Sequence, residues 1–295
     1  MRLDTNLCQF LKFYNDMLPT TAEFIKKYGL DAKKSLGQNF ILDKNFTDKI
    51  AKSALSKGVQ DFSNDIILEI GPGPASLTRS ILDLNPKKLI VVEKDERCIK
   101  ILQEIQEFYG TKKLEIINED ALKIDEERIF TKNQKIKIIS NLPYNIGTVL
   151  LIKWLKMANK IESMVLMLQK EVVERIVAKS NSNNYGRLAI ICNFLAKTEM
   201  LFMANRAIFT PPPKVTSAIV KISPYEKSLF DIPLVKLENI TAAAFNQRRK
   251  MIKSSLKNFF FEHKIAEILQ KTQIDGNLRP ENLTIEQFCQ LAKFS

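Results

Sequence analysis

The chain has 295 residues, 45% hydrophobic and 26% charged, which suits one large folded domain or two unequal ones and excludes global disorder. Forty-five Lys and Arg against thirty-three Asp and Glu leave a net charge of +12, a surplus suited to a polyanionic partner, either nucleic acid or an anionic membrane surface. The single histidine, His263, excludes multi-histidine metal sites, and no metal is expected.

The four cysteines, Cys8, Cys98, Cys192 and Cys289, lie far apart without a C-x-x-C pair. They read as free thiols in a reducing compartment. No apolar run approaches the roughly 18 residues of a membrane span. The best one, Val149 to Ile152, stops at Lys153. Arg2 and Asp4 interrupt any signal-peptide pattern, so a cytoplasmic protein with no membrane partner is expected.

Residues 1–32 read as an appended helical segment of neutral charge. Short apolar runs then alternate with helical stretches. Strands are predicted at Ile66–Ile70, Leu89–Val92, Leu114–Ile117, Ile136–Ile139 and Met164–Leu168. Helices are predicted at Leu77–Leu84, Arg97–Phe108 and Thr148–Met157. This alternation argues for a mostly parallel sheet covered on both faces. Val215–Ile222 alternates and could close the sheet as an antiparallel edge; Ser223-Pro224 reads as a boundary before a helical remainder.

Ligands of such sheets bind beyond the carboxyl ends of the strands. Four places qualify: Gly71-Pro72-Gly73, Glu93, Asp120 and Asn141–Tyr144. The glycines allow a tight turn and close approach of backbone to ligand. Ser76 stands where a dinucleotide fingerprint needs its third glycine, and Pro72 removes a donor that a pyrophosphate would use. A plain tight turn would read the same way. Glu93, twenty residues after Gly73, could accept from a ribose diol or be a solvated charge. Asp120 could accept from an adenine amine or cap a turn. Together they describe a pocket for an adenosine without phosphates, such as S-adenosylmethionine.

Ser140-Asn141-Leu142-Pro143-Tyr144 carries the most chemistry. The amino nitrogen of adenine is a poor nucleophile because the ring delocalises its lone pair. The Asn141 side-chain oxygen and the Leu142 carbonyl could accept its two hydrogens and free that lone pair. Pro143 would fix the turn, and Tyr144 would stack on the base; an Asn-Pro-type turn with a packed Tyr would read the same way.

Asn141-Leu142-Pro143-Tyr144 resembles the N-L-P-Y motif of ribosomal RNA adenine dimethyltransferases. Lys34–Leu42, Leu166–Ala178, Tyr185–Leu188, Phe209–Val215 and Ala244–Lys250 are similar to further segments of that family, in the bacterial small-subunit type. The resemblance implies an α/β fold. A Rossmann-like class I S-adenosylmethionine-dependent methyltransferase domain would span residues 1–224, including an N-terminal extension at 1–32. A small α-helical RNA-binding domain would follow at 225–295.

It also implies that Asn39, the backbone of Ile41, Gly71, Glu93, Asp120 and Asn141 contact S-adenosylmethionine, and that Tyr144 and Phe209 sandwich the target adenine. Ile41 stands where the family usually has Leu, and the extension at 1–32 exceeds its usual leader. The implied reaction is N6,N6-dimethylation of two adjacent adenosines near the 3′ end of 16S ribosomal RNA, within the small subunit or its precursor, by a monomer. The rivals are a large-subunit, resistance-type methyltransferase and a non-catalytic RNA-binding factor on the same scaffold.

Phe245–Lys257 holds Arg248, Arg249, Lys250, Lys253 and Lys257 and no acid. A helix there would align Arg249, Lys253 and Lys257 in one row, facing either an RNA backbone or water. Asn181–Asn184 reads as a connector or an RNA-contacting flap, and His263 as structural or solvent-facing.

Overall fold

The computed structural model describes residues 18–31, 39–130 and 134–295. In chain order the elements begin with α1 (Thr21–Lys27), β1 (Phe40–Ile41), α2 (Lys44–Ser53), β2 (Ile66–Ile70), α3 (Ser76–Leu82), β3 (Lys88–Glu93) and α4 (Glu96–Tyr109). There follow β4 (Leu114–Asn118), α5 (Glu126–Ile129), β5 (Ile136–Asn141), α6 (Gly147–Leu155), β6 (Ile161–Gln169), α7 (Lys170–Ile176) and α8 (Arg187–Leu195). The last are β7 (Ala196–Ala204), β8 (Phe209–Thr210), β9 (Ser217–Pro224), α9 (Leu234–Asn246), α10 (Ile252–Ser255), α11 (Glu262–Thr272) and α12 (Ile285–Ala292).

The chain divides into two units, residues 1–146 with 205–214, and residues 147–204 with 215–295. This division falls elsewhere than the expected boundary at Ser223-Pro224. Its cause lies in packing. The buried cluster under the C-terminal helices includes Tyr185, Ile190 and Phe194 alongside Leu237, Ile240 and Phe288, so α8 shares a core with α9 and α12.

In the first unit the strand order is β4-β3-β2-β5, all parallel. Strands buried on both faces need near-continuous apolar runs, and Ile67, Leu68, Leu89 and Val91 are fully buried. On α4, Cys98, Ile101, Leu102 and Ile105 recur at helical spacing and are all fully buried. Asp95 caps this helix by accepting from the Arg97 N–H at 3.2 Å. Also in the first unit, β1 pairs with β8, matching Phe40 with Thr210 and Ile41 with Phe209.

In the second unit β9 runs antiparallel to both β6 and β7. The expectation of an edge strand at Val215–Ile222 is therefore corrected: β9 is flanked on both sides. Its residues Ala218, Ile219 and Val220 are fully buried, as an inner strand requires. β7 is one-sided and mixed in exposure, with a register shift between Met200 and Phe202.

Cys98, Cys192 and Cys289 are buried free thiols, and Cys8 lies outside the described residues. So do residues 1–17, most of the predicted N-terminal extension, and the Lys34–Gln38 part of the opening signature. Among the described residues no helix is long and apolar enough to cross a membrane.

Candidate functional site

Of the residues singled out in the sequence, Asn39, Ile41, Gly71, Glu93, Asp120, Asn141, Leu142 and Pro143 all line one cavity of the first unit. Parallel pairing explains the convergence. Ile70 aligns with Val92, and Glu93 with Asn118, so the carboxyl ends of β2, β3 and β4 open at one level. The Ser140 hydroxyl donates to the Ile70 carbonyl at 2.7 Å, which ties the end of β5 to the end of β2.

The turn after β2 depends on its glycines. Gly71 and Gly73 sit at φ +64° and +56°, and Ala75 at +66° opens α3 from the same left-handed region. A Cβ on Gly71 would stand 3.5 Å from the Pro143 ring, and one on Gly73 3.5 Å from the Phe40 ring. The backbone thus runs against both walls of the cavity.

Glu93 is 6% exposed. One of its oxygens accepts from the Lys94 and Asp95 N–H groups, each at 2.8 Å, and the other from the Gly73 N–H at 3.1 Å. The carboxylate therefore shapes the glycine turn as well as facing the cavity. Burial raises its pKa, against the lowering effect of those three backbone donors. Asp120 accepts from the Leu122 N–H at 3.0 Å and from Lys94 Nζ at 3.3 Å. The backbone hydrogen bond, with the lysine's help, lowers its pKa, so it is a carboxylate at neutral pH. It both holds a turn and lines the cavity.

Among the described residues no hydrogen bond occupies the Asn141 side chain, which borders the cavity. The turn that follows is closed by the Ile146 N–H on the Pro143 carbonyl at 3.1 Å. The Leu142 carbonyl stays outside that closure. Tyr144 is half-buried directly after the lining residues. Phe209 is 2% exposed and locked into the β1–β8 pairing, so in this conformation its ring offers no open face to a base.

Sequence reasoning missed Glu69. It lines the cavity, is 1% exposed, and accepts from the Thr78 hydroxyl at 2.7 Å. Burial, with Glu93 nearby, pushes its pKa up to about 8. The signal was present: one carboxylate inside the run Ile66-Ile67-Leu68-Glu69-Ile70, a strand otherwise apolar on both faces.

The predicted basic row is corrected. α9 ends at Asn246, and α10 begins at Ile252, so Arg249, Lys253 and Lys257 do not share one helix. The Ile252 and Lys253 N–H groups donate to the Leu278 and Gly276 carbonyls at 2.7 and 3.2 Å, which replaces the helical ladder. Arg248 bonds the Asn183 carbonyl at 2.6 Å and Glu281 at 3.0 Å. Lys253 donates to Asn277 at 2.7 Å, and Lys257 pairs with Glu262. Arg249 and Lys250 are exposed. Asn181–Asn184 is tethered rather than loose, since the Asn181 N–H also donates to the Glu281 carbonyl at 2.8 Å. His263 is solvent-facing and stacks on Phe261 at 5.9 Å.

The chemistry of its lining suits a phosphate-free nucleoside. Among its four acidic residues, Glu93 and Asp120 stand ready for hydroxyl and amine donors, beside a glycine turn for close approach and an unengaged amide at one wall. That set fits S-adenosylmethionine.

A family profile described as ribosomal RNA adenine dimethylase matches residues 29–295. The ribosomal RNA small subunit methyltransferase A of Agrobacterium fabrum is 46% identical over 280 residues, covering 94% of this chain and 98% of that protein. The protein of the same name from Allorhizobium ampelinum is 44% identical over 280 residues, with the same coverage of 94% and 98%. Among solved structures, a dimethyladenosine transferase from Plasmodium falciparum superposes with a TM-score of 0.73 at 29% identity, covering 85% of this chain and 95% of that one. The 23S rRNA methyltransferase ErmE gives a TM-score of 0.65 at 24% identity over 86% of this chain and 98% of that one, a likeness of fold.

Proposed function

Because this chain belongs to the ribosomal RNA adenine dimethylase family, we propose that it transfers methyl groups from S-adenosylmethionine to adenine N6 in small-subunit ribosomal RNA, two to each base. The target we infer is two adjacent adenosines near the 3′ end of 16S ribosomal RNA, in the small subunit or its precursor. The working enzyme is a cytoplasmic monomer.

The observation that carries this reading is the Asn141 amide, without a hydrogen-bond partner among the described residues and placed on the wall of the cavity that Gly71, Glu93 and Asp120 also line. S-adenosylmethionine, when bound, supplies an electrophilic methyl on a sulfonium. The chain's own residues do the rest. Gly71, Glu93 and Asp120 hold the adenosine portion, with Asn39 and the backbone of Ile41 on the facing wall. Asn141 Oδ1 and the Leu142 carbonyl accept from the amino hydrogens of the target adenine and free the lone pair on nitrogen. Tyr144 covers the base, a contact worth about 1–3 kcal/mol. Phe209 would join from the other face once its cover opens. With that donor bound, the freed nitrogen lone pair would take the methyl, and the sulfonium would keep the electron pair of its broken S–C bond. The amine then sheds a proton to water. Such a base must leave its stack to be reached.

The test is methyl incorporation from labelled S-adenosylmethionine into unmethylated small subunits, with large subunits alongside. Dimethyladenosine is expected in the small subunit alone. Label confined to the large subunit would overturn the substrate assignment. Asn141→Ala should abolish transfer with the fold intact, and near-normal turnover in that variant would overturn the mechanism.

A further inference from the structure

Two sequence segments that the cofactor cavity did not absorb meet elsewhere. Arg187, from Tyr185-Gly186-Arg187-Leu188, and Asn246-Gln247, from Ala244–Lys250, line a second cavity, which lies wholly within the second unit. It is a shallow cleft open to solvent rather than an enclosed cavity, with a volume of about 450 Å3. That falls in the range of small-ligand clefts, roughly 300–1,000 Å3.

The chemistry of its walls is specific. Asn239, Ala242, Ala243 and Asn246 recur on α9 at helical spacing, so two alanines form a low floor between two amides. Gln247 adds a third amide where the helix ends. Phe259 supplies a half-buried ring, braced edge-on by Phe260 at 4.9 Å. Among the described residues, the side chains of Arg187, Asn239, Asn246 and Gln247 have no hydrogen-bond partner. No acid lines the cavity. Exposed Arg249 and Lys250 follow Gln247 within three positions, again without partners among the described residues.

An amide offers a donor and an acceptor side by side, the pattern of a base edge. A ring offers a stacking face, and guanidinium groups match phosphate bidentately. We propose that this cavity receives one unstacked nucleotide of the RNA substrate, its base edge on Asn239, Asn246 and Gln247, its face on Phe259, and a flanking phosphate on Arg187. This is a docking pocket separate from the methyl-transfer cavity, and it rests on the reading above that the substrate is ribosomal RNA. Arg248 is excluded from the contact because Asn183 and Glu281 already engage it. Its task is to hold the turn that presents Gln247 and Arg249.

The test uses the full chain and unmethylated small ribosomal subunits. Three variants are compared with wild type: Asn246→Ala with Gln247→Ala, Arg187→Gln, and Phe259→Leu, with Phe259→Tyr as the conservative rescue. The first three should raise KM for subunits about tenfold while kcat and S-adenosylmethionine affinity stay unchanged, as loss of one stacked or bidentate contact implies. Phe259→Tyr should restore KM. Arg187→Gln should also shallow the salt dependence of binding by about one phosphate contact. Unmoved KM in the amide and arginine variants, with normal wild-type transfer, overturns the pocket and leaves the substrate reading standing. Failure of wild type to methylate small subunits overturns both. A fall in kcat at constant KM would also overturn the pocket, because docking acts before chemistry.

Discussion

Replacing Glu69 with Gln isolates the energetic burden of one buried carboxyl. In the unfolded chain Glu69 loses its proton near pH 4.5, whereas in the fold burial holds it until about pH 8. Between those limits the native state binds one proton more than the unfolded state, so stability falls as pH rises, by about 1.4 kcal/mol per pH unit. The stabilisation is complete below pH 4.5 and lost once pH passes about 8. The whole window corresponds to on the order of 5 kcal/mol, and roughly 3 kcal/mol of it has gone by pH 7. Gln is nearly the same size, is neutral throughout, and can still accept from the Thr78 hydroxyl. Urea unfolding of wild type and Glu69→Gln at pH 5, 6, 7 and 8, without cofactor, gives the difference curve. The variant should match wild type near pH 5 and exceed it by about 3 kcal/mol at pH 7. Glu93, also raised by burial, is present in both proteins and adds the same slope to each. Parallel stability curves from pH 5 to 8 would refute the claim that Glu69 is buried as the neutral acid.

Other perturbations have equally definite outcomes. Lys137 is 3% exposed and pairs with Asp65 at 2.7 Å, so Asp65→Asn removes one charge from a buried ion pair while an amide stays in its place. The expected loss is about 1–3 kcal/mol in denaturant unfolding. Gly73→Ala places a Cβ at φ +56° and 3.5 Å from Phe40. It should cost about 1–2 kcal/mol in thermal unfolding and weaken S-adenosylmethionine binding by calorimetry. Phe288 is fully buried and packs on Phe245 at 5.8 Å, so Phe288→Ala should lose about 3–5 kcal/mol. The same variant should leave S-adenosylmethionine affinity unchanged, since the cofactor cavity draws on the first unit alone.

The parallel strands were readable because burial on both faces leaves a plain apolar run. Ile66–Ile70 matches β2 residue for residue, and the other parallel strands differ only at their ends. The cavity was readable for a related reason: parallel strands aim their carboxyl ends one way, so Gly71, Glu93, Asp120 and Asn141 had to converge. β7 escaped notice because a one-sided strand with a register shift follows no simple alternation. β1 and β8 are two residues each and exist only through their long-range pairing. The basic helix failed for a tertiary reason. Gly276 and Leu278 supply carbonyls that outcompete the helical ladder at Ile252 and Lys253, and nothing in the local sequence announces them. Glu69 was visible yet unread, since a lone acid in a strand is easily taken for a chance interruption.

The pairing of β1 with β8 bears on how the protein is made. Phe40 and Ile41 line the first unit's cavity, yet the strand they form acquires its hydrogen-bonding partner only from Phe209 and Thr210. The chain leaves the first unit after Ile146 and returns to it for residues 205–214. A polypeptide emerging from the ribosome can lay down β2 to β5 early, but this wall of the cavity waits for most of the chain. The nascent chain is thereby kept without a finished cavity until the strands and helices of 147–204 have also been synthesised.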